Sequence, residues 1–306
     1  MQFGSNPTGV ILSGASGMLG TALQSALAGR VSSILRLVRN APTADGQLQW
    51  NPAQSPAIAH PAPLEGSAAA IHLSGASVAA HRWTAAYRRE LAASRVDSTH
   101  ALALALAALH RPPRALLVAS AVGIYGNRAD ELLTEDSAPG NGFLANLCCR
   151  WENAAQPAVD AGIRVVHLRF GVVLGPGHGA LEKMLPPFRL GLGGKLGNGR
   201  QWMSWVSLAD AVAGILFALE TPSLSGPVNL SSPSPVTNAD FTRALARQLG
   251  RPAFFAVPAF ALRLAFGEMA NEALLASARV VPARLRSAGF QFAHPSIDEA
   301  LAAALK

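Results

Sequence analysis

Along much of the chain, short runs of consecutive apolar residues alternate with longer segments in which apolar residues recur every three or four positions. Unbroken apolar runs indicate strands buried on both faces, and the wider spacing indicates amphipathic helices. The runs predict strands at residues 10–12, 31–40, 48–50, 68–73 and 116–126. Helices are predicted at 21–29, 81–110 (broken once), 210–220, 237–249 and 296–305. This alternation predicts an α/β fold with a doubly wound parallel sheet.

A glycine-rich turn, GASGMLG, joins the first predicted strand to the first predicted helix. Gly14 permits a tight turn, Gly17 lets a diphosphate approach the main chain, and Gly20 lets the helix pack closely on the strand. Free N–H groups at a helix start attract anions, so a dinucleotide site is expected here. The expected dinucleotide site would also include Ser16, Met18 and Leu19. The G-x-x-G-x-x-G spacing differs from the commoner G-x-G-x-x-G, and a tight turn without a ligand is the alternative.

The end of the second predicted strand indicates which dinucleotide is bound. An acidic residue at this place holds the ribose hydroxyls of NAD, whereas an Arg accommodates the additional 2′-phosphate of NADP. Here the residues are Val38, Arg39 and Asn40, and none is acidic. Arg39 therefore favours NADP, because a guanidinium makes charge-assisted contacts with phosphate. The alternative is a solvated charge at a strand end.

Small or polar residues follow two further strands. Ser74 and Gly75 end the strand that contains His72, and they would let a cofactor lie across the strand end. His72 itself is expected to be a core or edge histidine. The strand at 116–126 contains Ser120 and ends with Tyr125. The polar side chains of Ser74, Ser120 and Tyr125 are therefore expected at the same edge of the predicted sheet, where the carboxyl ends of the strands lie.

Composition excludes several classes of protein. The chain has 306 residues, of which 50% are hydrophobic and 14% charged, which indicates a globular protein. The net charge of +7 is not concentrated in any stretch, so we expect a basic surface for anionic small molecules and no nucleic-acid partner. Residues 1–8 lack the features of a signal peptide, and no apolar run is long enough to span a membrane. A cytoplasmic protein without a membrane partner is expected.

The only two cysteines, Cys148 and Cys149, are adjacent. A disulfide between neighbours on a helix would be strained, and no metal-ligand spacing accompanies them. Inert thiols in a reducing compartment are therefore expected, and no metal site.

The motifs together resemble the extended short-chain dehydrogenase/reductase superfamily, which includes nucleotide-sugar epimerases and dehydratases. GASGMLG resembles its cofactor loop, IHLSGAS its fourth-strand motif, SRVDST its fifth-helix motif and ASAVGIYG its active-site strand. The strings HRWT, GPVNLSSPSPVTNADF and VVPARLRSAGFQF are similar to a narrower group of epimerase-family proteins with a C-terminal domain of unknown function. That resemblance implies a cofactor pocket containing Val38, Arg39, Leu73, Ser74, Gly75, Glu90, Arg95 and Val173.

The sequence departs from the superfamily at its catalytic pair. A Tyr followed four residues later by a Lys transfers the proton in that superfamily, but Phe143 and Leu147 stand in the corresponding region. The resemblance leaves Ser120 as a hydrogen-bond donor to substrate. Tyr125 is a candidate acid/base if Arg95 lowers its pKa, the alternative being a structural role. Glu90 and Arg95, if not in the cofactor pocket, are solvated charges.

These inferences predict an NADP-binding Rossmann domain at 8–175, its sheet completed by parts of 205–232. A smaller substrate lobe is expected at 176–306, with the C-terminal domain at about 252–300. The basic, aromatic segment 181–205 faces substrate or is a rigid loop covering the core. The expected function is an NADP(H)-dependent oxidoreductase or epimerase-like enzyme acting on a small carbonyl or alcohol, as a monomer or homodimer. The alternative is a non-catalytic NADP(H)-binding redox sensor.

Overall fold

Strands and helices alternate through residues 9–177 and 179–306, the part that the computed structural model describes. The expectations for residues 1–8, including the first residue of the predicted domain 8–175, lie outside the described residues. The strands are Val10–Ser13 (β1), Ile34–Val38 (β2), Gln47–Gln49 (β3), Ala69–His72 (β4), Ala115–Ala121 (β5), Leu132–Leu133 (β6), Arg164–Phe170 (β7), Val172–Leu174 (β8), Gly194–Leu196 (β9), Trp202–Met203 (β10), Trp205–Ser207 (β11), Gly226–Leu230 (β12), Val236–Thr237 (β13), Phe255–Val257 (β14) and Arg279–Val280 (β15). The α-helices are Met18–Leu27 (α1), Ala85–Ala92 (α2), Ser98–Ala107 (α3), Phe143–Asn153 (α4), Gln156–Asp160 (α5), Gly179–Arg189 (α6), Leu208–Glu220 (α7), Asn238–Leu249 (α8), Ala259–Phe266 (α9), Ala283–Ser287 (α10) and Ile297–Ala304 (α11).

Seven strands form one parallel sheet in the order β12-β7-β5-β4-β1-β2-β3. The chain moves outward from β1 to β2 and β3, and then crosses to β4 on the other side of β1. The predicted doubly wound α/β fold is thus confirmed. In such sheets ligands bind at the carboxyl ends of the strands where the order reverses. Here that switch point lies between β1 and β4, next to the glycine-rich turn.

The central strands are buried on both faces because helices cover the sheet on both sides. Helix α1 packs with α7 and helix α3 packs with α5. Helices α2 and α3 form one helical run, interrupted by the π-helical segment Ala93–Asp97; the sequence predicts one break in this region but not its position.

His72 is a core histidine, as expected. Its side chain is fully buried at the end of β4, with Nδ1 2.5 Å from Ser13 Oγ and Nε2 3.2 Å from Ser98 Oγ. Burial lowers the pKa of His72 to about 4, so the ring is neutral at physiological pH. The two hydroxyls satisfy both ring nitrogens and connect β1, β4 and α3.

The C-terminal part has a second apolar core, in which Trp205 and Phe241 are buried with side chains of α6 and α11. Thr237 and Ser296 begin α8 and α11 with capping boxes, in agreement with the predicted helix starts. Strand β12 returns from this part of the chain to the sheet edge beside β7.

Cys148 and Cys149 are free thiols, and burial raises the pKa of Cys148 to about 12. An unreactive thiol is therefore expected at position 148. None of the described helices is long and apolar enough to cross a membrane.

Candidate functional site

The glycine-rich turn lies at the switch point and is fixed there by main-chain packing. Gly14 has a φ of +73°, and a Cβ atom on it would lie 2.7 Å from the Leu73 carbonyl carbon and 2.9 Å from the Ser74 nitrogen. Only glycine fits such a close approach in this backbone conformation. The end of β1 is thereby held against the residues that follow β4, and the predicted site residues Gly14, Leu73 and Ser74 are brought together.

Gly20 and Gly17 have different surroundings. A Cβ atom on Gly20 would lie 2.2 Å from the Gly14 carbonyl oxygen and 2.8 Å from Ala15 Cα. Gly20 therefore packs helix α1 against its own preceding turn, and not against the strand as the sequence suggested. Gly17 is exposed, and the nearest atom to a Cβ there is the Gly14 oxygen at 3.5 Å. The main chain at Gly17 is thus open to a ligand.

Helix α1 begins without a side-chain cap, and its first turn contains no acidic residue. Its orphan N–H groups and positive dipole end therefore face the space beside Ser16 and Gly17. Met18, the first helical residue, packs towards the segment after β8: a Cβ on Gly175 would lie 2.9 Å from Met18 Sδ. This contact brings the start of α1 close to the segment after Val173. Leu19 packs against the core.

Arg39 follows β2 on the same edge of the sheet. Val38, which ends β2, is half-buried, whereas Arg39 is exposed. The main-chain carbonyl of Arg39 accepts a hydrogen bond from Gln49 Nε2, while the guanidinium has no ion-pair partner among the described residues. A cation is thus available one strand away from the glycine-rich turn.

Arg95 lies beneath the loop after β4. A Cβ on Gly75 would lie 3.4 Å from the Arg95 guanidinium carbon, and Arg95 Nη2 donates a hydrogen bond of 2.8 Å to the Ala76 carbonyl. The guanidinium also stacks over the Trp151 ring at 5.1 Å. Burial lowers the pKa of Arg95. Arg95 therefore holds the loop at Gly75 in place.

Glu90 lies on α2, about one helical turn before Arg95 in the sequence, and its side chain is exposed. No hydrogen bond or ion pair joins it to the other site residues within the described ranges. Its place in the cofactor pocket stays a prediction.

Ser120 and Tyr125 belong to a buried polar network and not to an open site. Ser120 Oγ donates to Glu152 at 2.7 Å, and the Arg169 guanidinium binds both oxygens of the same carboxylate at 2.8 Å. Arg169 also donates to the Tyr125 hydroxyl at 2.9 Å, which in turn donates to Asn229 Oδ1 at 2.8 Å. The network connects β5, α4, β7 and β12 across the carboxyl end of the sheet.

The catalytic role predicted for Tyr125 does not fit this position. Its side chain is fully buried, its hydroxyl is used by Arg169 and Asn229, and Arg95, the expected neighbour, is not among its hydrogen-bond partners. Burial raises the pKa of Tyr125, although Arg169 opposes the change. The structural alternative therefore describes Tyr125. Ser120 is 3% exposed and donates its proton to Glu152, which leaves it poorly placed to donate to a substrate.

The positions of the missing Tyr and Lys are filled by an apolar cluster. Leu147 is buried with Trp83, Tyr87, Leu91 and Met269. The Phe143 ring meets Trp83 edge-on at 5.2 Å, and the Arg88 guanidinium lies 5.2 Å from the Phe143 ring centre. Neither Phe143 nor Leu147 can transfer a proton, in agreement with the sequence.

Glu272, from the π-helical segment Ala270–Leu274, caps the start of α4. Its carboxylate accepts hydrogen bonds from the Phe143 and Leu144 main chains at 2.9 and 2.7 Å. Gly142 has a φ of +109°, and a Cβ on it would lie 3.0 Å from all three carboxylate atoms. The C-terminal segment therefore fixes the helix that carries the catalytic pair in the superfamily.

The segment 181–205 fits the predicted role of covering the core, and its role in facing substrate stays a prediction. Trp205 is fully buried in the second core, so it covers the core. Lys183 donates to the Ala79 carbonyl, and Trp202 Nε1 donates to Asp130 at 2.8 Å. Lys183 and Trp202 are thus held by contacts with earlier parts of the chain.

Sequence reasoning missed Glu152, Arg169 and Glu272. Glu152 lies on α4, the helix that also carries Phe143 and Leu147, and Arg169 lies in the strand β7 run RVVHLRF. A charged residue inside an otherwise apolar strand is a signal for a buried ion pair. No local signal identifies Glu272, because its partners are about 130 residues away.

The residues at the switch point fit a dinucleotide. The turn supplies open main chain at Gly17 and the uncapped start of α1, both suited to a diphosphate. The exposed Arg39 suits an additional phosphate on the adenosine ribose.

Comparison with known proteins agrees with this geometry. Residues 10–230 match the NAD-dependent epimerase/dehydratase family, and residues 257–304 match a domain of unknown function (DUF1731). An epimerase family protein of Mycobacterium bovis (Mb2239) is 46% identical over 292 residues, which cover 95% of this chain and 96% of that protein. Human epimerase family protein SDR39U1, crystallised with NADPH, superposes with a TM-score of 0.88 at 33% identity, covering 97% of this chain and 98% of that one.

The similarity spans both the sheet and the C-terminal segment that caps α4, so it includes the whole of the site described above. The chain belongs to the NAD-dependent epimerase/dehydratase family of extended short-chain dehydrogenase/reductases, in the group of epimerase family proteins with a C-terminal DUF1731 domain.

Proposed function

We propose that this protein binds NADP(H) at the switch point and is a cytoplasmic oxidoreductase acting on a small carbonyl or alcohol compound. The observation that carries the proposal is the exposed Arg39 guanidinium one strand away from the open main chain of Gly17. The NADPH in the crystals of human SDR39U1 supports the same cofactor. The two free cysteines suit a reducing compartment.

Arg39 would bind the 2′-phosphate, and the turn from Gly14 to Leu19 would bind the diphosphate through main-chain N–H groups. Arg95 positions the loop at Gly75 against which the ribose would lie. The apolar cluster at Trp83 and Phe143 would keep water from the nicotinamide end.

When bound, NADPH supplies a hydride to a carbonyl carbon, the carbonyl becomes an alcohol, and the cofactor leaves oxidised. The new hydroxyl needs one proton. Because Tyr125 is fully buried and Phe143 and Leu147 cannot donate, ordered water or a group of the substrate is the proposed donor.

Titration of the purified protein with NADPH and NADH, followed by fluorescence, tests the cofactor. We expect Arg39→Ala to weaken NADPH binding about 10- to 100-fold, the effect of losing a hydrogen-bonded charge partner, and to change NADH binding little. Arg111→Ala is the control, because Arg111 is also exposed, with only a 3.8 Å ion pair to Glu65, but precedes β5 and so lies at the amino ends of the strands. Equal losses for both nucleotides would contradict the 2′-phosphate assignment.

A second candidate function is a redox sensor that binds NADP(H) without turnover. The apolar residues at positions 143 and 147 favour it, since the superfamily's proton relay is lost there. Steady oxidation of NADPH by any member of a panel of small aldehydes and ketones supports the enzyme. Tight binding with no turnover across the panel supports the sensor.

A further inference from the structure

The C-terminal lobe exposes large apolar side chains in two segments that lie side by side. Strand β14 pairs with β9, and a Cβ on Gly191 would lie 3.6 Å from Pro252. The apolar patch formed by these segments consists of Leu190, Leu192, Phe254, Phe255, Phe260 and Leu264. Phe254 is 90% exposed, and Leu190, Phe260 and Leu264 are each more than 70% exposed. Exposed apolar groups of this size close together mark a contact surface.

The same two segments carry only positive charge. Residues 189–200 and 251–266 contain five Arg or Lys residues and no Asp or Glu. None of these five cations forms an ion pair with an acidic side chain in the part of the chain that the structure describes. Arg263, between Phe260 and Leu264 on α9, donates instead to the neutral Asn271 side chain at 2.8 Å. The apolar patch and the uncompensated basic groups therefore belong to the same two segments.

We propose that the apolar patch and its cations dock the protein on an anionic lipid bilayer surface. Amphipathic segments with Phe and Leu on one side and Arg or Lys beside them insert their apolar groups at the boundary between headgroups and acyl chains. Anionic headgroups would neutralise the five cations. Docking of this kind requires no membrane-spanning helix. The length of the apolar runs in the sequence therefore could not indicate a membrane partner of this type.

The observations favour a bilayer over the two other occupants. A second copy seated on the same patch would bring ten like charges together, which disfavours association. A protein partner needs a surface complementary in shape, whereas a bilayer accepts separate protruding side chains such as Phe254 and Leu264 without one. The patch lies outside the glycine-rich turn, so docking and cofactor binding can be tested independently.

The experiment is co-sedimentation of the full chain with vesicles of phosphatidylglycerol and phosphatidylcholine in equal amounts, and with vesicles of phosphatidylcholine alone. We expect binding to the anionic vesicles only, weakened by added salt because salt screens the cations. Phe254→Ser/Phe260→Ser should lower the partition coefficient at least about tenfold, because the variant lacks the two aromatic rings whose transfer from water into the bilayer favours binding. Arg251→Gln/Arg263→Gln should lower it roughly fivefold for each charge.

Leu104→Ser/Val159→Ser is the control, because both residues are exposed apolar residues, 50% and 44% exposed, that lie on α3 and α5, away from the patch. It should bind vesicles like the unaltered chain. Circular dichroism establishes that each variant is folded. The proposal is wrong if the unaltered chain does not sediment with anionic vesicles, or if the phenylalanine variant sediments equally well. Self-association lost in the phenylalanine variant, without vesicle binding, would instead identify a second copy as the occupant and overturn the proposal.

Discussion

Gly17 and Gly20 belong to the same turn, but alanine at the two positions is expected to affect the stability of the fold differently. In Gly20→Ala the new methyl would lie 2.2 Å from the Gly14 carbonyl oxygen. An ordinary carbon–oxygen contact is about 3.3 Å, so the two atoms must separate by about 1 Å. Gly14 cannot retreat, because it is already packed against the main chain of Leu73 and Ser74.

The strain should therefore reach the upper part of the range for overpacking, about 3 kcal/mol. For a chain of this size that corresponds to a fall in Tm of about 5 °C. Gly17→Ala meets no such obstacle: φ is −78°, and the nearest atom to the methyl is 3.5 Å away. Its cost is that of alanine at a helix N-cap, at most about 1 kcal/mol.

The two variants are compared by thermal unfolding and by NADPH titration. Gly20→Ala should lower Tm and, because the turn is displaced, also lower affinity. Gly17→Ala should keep a Tm within about 2 °C of the unaltered chain but lose affinity at least about tenfold, since the methyl separates a phosphate from the main chain. An unchanged Tm in Gly20→Ala would refute the packing argument. Full affinity in Gly17→Ala would refute the approach of the diphosphate at this glycine.

Two further predictions concern buried groups. The folded-state pKa of His72 is about 4, below its ordinary 6.5, so the unfolded chain binds the proton first. The free energy of unfolding should therefore fall by about 3 kcal/mol as the pH decreases from 6.5 to 4, as measured by urea unfolding. His72→Gln should remove this pH dependence. The same pH dependence in the variant and the unaltered chain would contradict the prediction. Glu152→Gln leaves the buried Arg169 guanidinium without a charged partner and should lower the free energy of unfolding by about 3–5 kcal/mol. Asp298→Asn removes one partner of the exposed pair with Arg247 and should have no resolvable effect. A stable Glu152→Gln variant would show that the network does not support the fold.

The sheet could be predicted from the sequence because its signals are local. Buried parallel strands are continuous apolar runs, and β1, β4 and β5 are found where those runs occur. The dinucleotide-binding part of the site could be predicted for the same reason, because its strand, three glycines and helix are contiguous in the sequence. Even there, the glycine spacing predicts that Gly20 packs on the strand, because the fold of the turn back onto Gly14 has no signature in sequence spacing.

The side chains around the reacting centre could not be predicted in this way. Tyr125 was a candidate acid because it follows a strand at the right edge of the sheet, yet its hydroxyl is enclosed by Arg169 and Asn229. Those partners are 44 and 104 residues away in the sequence. Whether a polar side chain at a strand end faces ligand or a buried network depends on such distant partners.

Replacing Phe143 and Leu147 by the Tyr and Lys of the superfamily is not expected to restore its proton relay. Leu147 is 3% exposed within an apolar cluster, so a lysine there would lose its hydration without gaining a partner, and burial would lower its pKa. Phe143 is held by Trp83 on one side and by the Glu272 cap at its main chain. The C-terminal segment has thus become part of the structure around these two positions, and a proton donor for any reaction must come from outside the pair.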